Sequence, residues 1–115
     1  MPDVLDVGEQ LAALSRDGHD FAEFFRSPAG SLSLTIARWP AGSVDDQTPH
    51  TEDEVYYVLS GRAALVVEGA RTDVGPGWVA FVAAGDDHRF VDIAEDLEVL
   101  VFWSPARHGN APAAG

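Results

Sequence analysis

The chain contains no cysteine and no lysine among its 115 residues. Without cysteine there are no disulfides, no thiolate nucleophile and no cysteine-held zinc. Without lysine no Schiff base can form on this chain. The 7 cationic side chains are all arginines and face 19 acidic residues, for a formal charge of −12. A surface this acidic repels phosphate backbones and anionic headgroups, so neither nucleic acid nor a membrane is an expected partner. Long apolar runs are missing too: none approaches the roughly 18 residues of a membrane span. The stretch Met1 to Gln10 is acidic and lacks the apolar centre of a signal peptide. The expectation is a soluble, cytoplasmic protein.

What is present suffices for one core. A chain of this length buries roughly two thirds of its unfolded surface, and 46% of its residues are hydrophobic. Val7, Leu11 and Leu14 recur at helical spacing, which predicts a short helix over 7–16, stopped by Asp17-Gly18. From Phe21 onward the period is two. A strand is expected over 21–26, then a turn at Ser27-Pro28-Ala29-Gly30, then Leu32, Leu34 and Ile36 on one face of a second strand. A polar loop over 43–53 precedes strands at 55–59 and 62–67, with a turn at Ser60-Gly61 between them. Further strands at 71–74, 78–82, 88–93 and 97–103 bring the total to about eight, at the short, even spacing of an all-β sandwich or barrel. The expected division is an N-terminal helix and edge strand over 1–26, a barrel over 27–104 and a disordered tail over 105–115. The tail is small, polar and rich in proline and glycine.

The polar interest lies in two segments. Thr48-Pro49-His50-Thr51-Glu52-Asp53-Glu54 runs into an apolar strand, and Gly85-Asp86-Asp87-His88 opens another. Taken singly, His50 and His88 read as exposed loop histidines and Glu54 as a solvated strand-edge charge. Together they offer more. A histidine and a carboxylate four residues apart can present both side chains to one side, and a second histidine from a distant strand completes a two-histidine, one-carboxylate set. Such a set holds divalent iron, manganese, nickel or zinc and leaves positions open for substrate. The candidate ligands are therefore His50, Glu54 and His88, with Glu52 as a substitute carboxylate. His19, at the helix end, and His108, in the tail, are read as inert.

The spacing resembles that of the cupin family. Cupins carry a first motif G-x5-H-x-H-x3-4-E-x6-G and a second, G-x5-P-x-G-x2-H-x3-N. Here Gly42, Thr48, His50, Glu54 and Gly61 fall at the positions of the first motif, with Thr48 in the first-histidine place. Gly77, Ala83, Gly85, His88 and Asp92 fall at the positions of the second, with Ala83 for proline and Asp92 for asparagine. The match runs from residue 42 to 92. It implies a cupin-type double-stranded β-helix, or jelly-roll barrel, with one divalent metal, a small-molecule ligand and a homodimeric assembly. Thr48 reduces the family's four-ligand set to three, completed by water or by Glu52, unless the site is lost. Thr48, Tyr56, Arg62 and Phe90 are expected around the substrate pocket, with Tyr56 or Glu52 as acid or base. Cupins of this type include dioxygenases, isomerases and lyases, and the sequence does not choose among them. The alternative is a non-catalytic module that binds or senses a small ligand.

Overall fold

The structure, a computed structural model, describes residues 4–109. Its helix α1 spans Val7–Arg16, the bounds expected from the apolar period. The extended Asp6 caps it by accepting a hydrogen bond from the Gly8 N–H at 3.0 Å. Glu9 in the first turn and Arg16 in the last complement the helix dipole. Leu14 is buried and docks the helix on the first two strands.

The strands are β1 (Phe21–Arg26), β2 (Ser33–Trp39), β3 (Asp53–Val67), β4 (Ala70–Val74), β5 (Val79–Val82) and β6 (His88–Ser104). All pair antiparallel, in the order β1-β2-β6-β3-β4, with β5 on β3. This is the all-β barrel with a short N-terminal helix that the sequence predicts. Among the described residues six strands replace the expected eight, because β3 and β6 each run through a point where the sequence reads as broken. Ser60-Gly61 is not a turn. It lies within β3, where the register against β6 shifts repeatedly between Val58 and Ala64. Gly61 has φ +91° and takes the conformation that such a bulge needs. A turn and a bulge use the same residue type, so local sequence does not separate them.

The period of two decides what faces inward. Glu54, Tyr56 and Val58 are buried on β3, and Val99, Val101 and Trp103 on β6. Glu54 thus enters the core by the same parity that buries its apolar neighbours. At the other end of β6, His88 and Phe90 point inward.

The expectation of a disordered tail does not hold for residues 105–109. Ala106 is fully buried and its N–H donates to the Gly30 carbonyl at 3.0 Å. The Arg107 N–H donates to Ser33 Oγ at 2.8 Å. Composition alone missed these long-range bonds. The rest of the expected tail, 110–115, lies outside the described residues, as do residues 1–3. Among the described residues no helix is long and apolar enough to cross a membrane.

Candidate metal centre

Three elements deliver the site. His50 comes from the loop before β3, Glu54 from β3 itself, and His88 from the first position of β6. His88 pairs with Val67, at the far end of β3 from Glu54. The two side chains still meet, because the bent strands fold one end of the sheet over the other. His50 Nε2 lies 2.5 Å from Glu54 Oε1, and His88 Nε2 lies 3.0 Å from the same oxygen. One donor atom from each of the three residues falls within 4.8 Å of the others.

Both imidazoles are oriented from behind. His50 Nδ1 lies 3.2 Å from the Glu52 carbonyl oxygen, and His88 Nδ1 lies 2.8 Å from that of Asp86. A carbonyl only accepts, so each Nδ1 carries a proton, and each ring turns its Nε2 toward the centre. Among the described residues neither buried Nε2 atom has a hydrogen-bond partner. The nearby Glu54 oxygen is close to each but is not placed as a hydrogen-bond partner. Glu54 is 1% exposed, and among the described residues no arginine pairs with it. A buried carboxylate and two imidazole nitrogens thus converge where, among the described residues, no arginine joins them, an arrangement that a bound cation would satisfy. The set suits a first-row divalent ion, whose bonds to nitrogen and oxygen are about 2.0–2.2 Å.

The surroundings tune these groups. Burial pushes the His88 imidazole toward the neutral form, but the Glu54 carboxylate and the Asp86 carbonyl outweigh it and hold its pKa above the ordinary value. Burial, and then the Glu54 charge, raise the Tyr56 phenol well above its ordinary range, against the opposing Gln47 hydrogen bond. Tyr56 is therefore a neutral O–H donor, 3.2 Å from Glu54 Oε1 and 3.4 Å from Gln47 Oε1. Gln47 is itself fixed. Asp45 accepts from the Gln47 side-chain amide at 2.6 Å, from its N–H at 3.2 Å and from the Phe90 N–H at 2.9 Å. One buried carboxylate thereby ties the loop that carries His50 to the strand that carries His88.

His50, Glu54 and Tyr56 face a cavity of about 560 Å³, with Thr48 exposed at its wall. Three other expected site residues take places different from those expected. Glu52 lines the cavity but sits behind His50, with one carboxylate oxygen 3.5 Å from Nδ1 and the other accepting the His108 N–H. It is placed to orient the ligand rather than to replace it. Arg62 lies on the surface beside Glu95, at 3.6 Å, because its position in β3 falls on the outward side after the bulge. Phe90 is buried under the site, its ring centroid 4.9 Å from Trp39 and 5.0 Å from Tyr56, and is not part of the cavity wall. Conversely, Asp45, Gln47, Trp103, Arg107 and His108 line the cavity without having been expected there. Only Trp103 had a usable signal, its inward parity with Val101.

Comparison with known proteins agrees with this fold. Residues 35–104 match the cupin domain. An uncharacterised protein of Streptomyces coelicolor is 48% identical over 75 residues, which cover 65% of this chain and 71% of that protein. Among solved structures, KdgF from Halomonas sp. superposes with a TM-score of 0.68 at 23% identity, over 76% of this chain and 78% of that one. The DMSP lyase DddQ from Ruegeria pomeroyi superposes with a TM-score of 0.66 at 24% identity, over 87% of this chain and 52% of that one. This chain thus spans about half the length of that lyase. At these identities the solved structures establish the barrel, while the domain match extends over more than half of the sequence and includes both motif segments. The chain belongs to the cupin family.

Proposed function

We propose that the protein is a metal-dependent cupin that acts on a small molecule, with His50, Glu54 and His88 holding one divalent iron, manganese, zinc or nickel ion. The observation that carries this reading is the pair of buried, partnerless Nε2 atoms on either side of a buried carboxylate. When bound, such an ion supplies Lewis-acid polarisation of a substrate oxygen or, for iron and manganese, redox chemistry. The chain's own residues supply the rest. The backbone carbonyls of Glu52 and Asp86 fix the two histidine tautomers. Tyr56 offers a protonated phenol beside Glu54, so it suits the role of hydrogen-bond donor or general acid and not that of base. Glu52, engaged by His108 and His50, is not free to act as a base at the centre.

Elemental analysis of protein purified without added metal tests the reading. About one first-row divalent ion per chain is expected, and a metal-free protein that also fails to take up iron, manganese, zinc or nickel would refute it. A non-catalytic ligand-binding module is the second reading, favoured by Thr48 standing where the family has a histidine ligand. A bound redox-inactive ion with no open coordination position would decide for the module.

The homodimer belongs to the same proposal. Tyr57, Trp78, Val79 and Phe81 are exposed on and beside β5, each by 38% to 61%. Val79 and Phe81 pair with Tyr57 and Val55 of β3, so the apolar side chains form one strip along a short outer strand. A second copy covering this strip would remove both the apolar surface and the strand edge. Light scattering at micromolar concentration should return twice the chain mass, and a strictly monomeric mass would rule the dimer out.

A further inference from the structure

Arg107 is unlike the other arginines. Arg26, Arg38, Arg62, Arg71 and Arg89 each have a carboxylate within ion-pair distance. Arg16 is exposed at the end of α1, where a cation suits the helix dipole. Arg107 is half-buried in the cavity wall, and among the described residues no carboxylate pairs with it. In a chain of net charge −12, such a cation left unpaired beside a cavity calls for an explanation.

Its placement is built. The Arg107 N–H is held by Ser33 Oγ at 2.8 Å, and its carbonyl accepts from Arg26 Nη2 at 2.7 Å. The guanidinium carbon lies 4.7 Å from the Phe21 ring centroid and 5.5 Å from that of Trp103. Stacking on the two rings engages the face of the guanidinium. Its N–H groups lie in the plane and point outward from the edge, where a carboxylate can accept two of them at once. The same indole also borders the centre, since the His50 ring centroid is 4.9 Å from that of Trp103.

None of the acidic residues of the cavity wall is paired with Arg107 among the described residues. Asp45 accepts from three N–H donors, Glu52 from the His108 N–H, and Glu54 from the Tyr56 hydroxyl. Asp20 and Asp46 are exposed, where solvent and salt screen them. Arg38, the other arginine in the wall, is taken by Glu98 at 2.7 Å. The one cationic side chain left unspent among the described residues of the wall is that of Arg107. Phe21 and Trp103 beside it are apolar, and Trp39 and Val101 add apolar surface to the same cavity.

We propose that Arg107 is an anion clamp and that the cavity takes a small carboxylate with an apolar body, the carboxylate on Arg107 and the body against Trp103. This deepens the small-molecule reading of the cavity and rests on it, but it does not need the metal. The probes are phenylacetate, its uncharged amide phenylacetamide, and succinate, titrated into the whole protein by calorimetry before and after metal removal. Phenylacetate should bind more tightly than phenylacetamide. Arg107→Gln should weaken phenylacetate by about tenfold or more, the scale of a lost charge-assisted pair, and leave phenylacetamide unchanged. Arg107→Lys, which keeps the charge without the planar fork, should lose less than Arg107→Gln. Equal affinity of wild type for acid and amide would overturn the clamp. So would undiminished phenylacetate binding by Arg107→Gln, or no binding of either carboxylate at millimolar concentration. The two readings fail separately. Arg107-dependent binding by a protein that holds no metal would leave the clamp standing and remove the metal, whereas a full metal complement with no effect of Arg107 would do the reverse.

Discussion

A His50→Ala, His88→Ala double variant is expected to bind divalent metal at least about 100-fold more weakly than wild type. Losing a group that merely orients a ligand costs about 10- to 100-fold, and here two of the three donors themselves are gone. His88 is buried, so its truncation also leaves a void, and the cleaner companion is Glu54→Gln, which keeps the volume and removes the charge. Both variants should retain the β-type circular dichroism of wild type and lose the ion. Full occupancy in the double variant would refute the assignment. The pH dependence gives a second readout of the same centre. Coordination needs neutral imidazole, so protons compete with the ion. His88 has a folded pKa raised above the ordinary value of 6.5, so release on acidification should begin at higher pH than for an unperturbed histidine. In metal-free protein the sign is opposite. A raised folded pKa contributes stability that is fully present below the unfolded value and lost as pH rises through the folded one. The gap in melting temperature between metal-loaded and metal-free protein should therefore widen from pH 5 to pH 8, and a gap independent of pH would exclude His88 from the centre.

The convergence of His50, Glu54 and His88 was legible because their spacing is set locally. His50 and Glu54 lie four residues apart, His88 opens a strand after a Gly-Asp-Asp turn, and alternation buries Glu54 with Tyr56 and Val58. The helix was legible for the same reason, as its cap, period and stop all lie within a dozen residues. The contacts that complete the site were not. Asp45 acts on Phe90 across 45 positions, and the Arg107 backbone acts on Ser33 across 74. Nothing in a polar loop or a proline- and glycine-rich tail marks such partners, because the barrel must close before they become neighbours. Arg62 and Phe90 were misplaced by a related cause. Parity counted from the strand start fails once a bulge shifts the register, as it does at Ser60-Gly61, and it distinguishes only inside from outside. It does not separate the cavity wall from the packed core beneath it.

The bulge also locates the largest stability effect expected from one methyl group. A Cβ at Gly61 would lie 2.2 Å from the Asp96 carbonyl oxygen, 2.7 Å from Leu97 Cα and 2.8 Å from the Asp96 carbonyl carbon. All three are backbone atoms of β6, so no side chain can rotate away, and relief requires the two long strands to separate where they bend. Gly61→Ala should cost about 3–5 kcal/mol in urea unfolding, the range of severe point mutations and a large share of the roughly 5–15 kcal/mol that holds a domain folded. The backbone angle accounts for the smaller part. Gly69 and Gly77 have similar angles, φ +81° and +88°, but a Cβ at either meets nothing within 4 Å. Alanine at those positions should cost only about 1–2 kcal/mol, the penalty of the left-handed conformation. Equal costs at all three positions would show that the strands do not approach closely at Gly61. The same variant tests how the fold makes the site. Glu54 lies on one side of the bend, and the Val67 partner of His88 lies on the other, so a bend forced open moves the carboxylate and the imidazole apart. Gly61→Ala protein that still folds should therefore bind metal more weakly than wild type, although residue 61 is not part of the centre, while the alanine variants of Gly69 and Gly77 should bind it as wild type does.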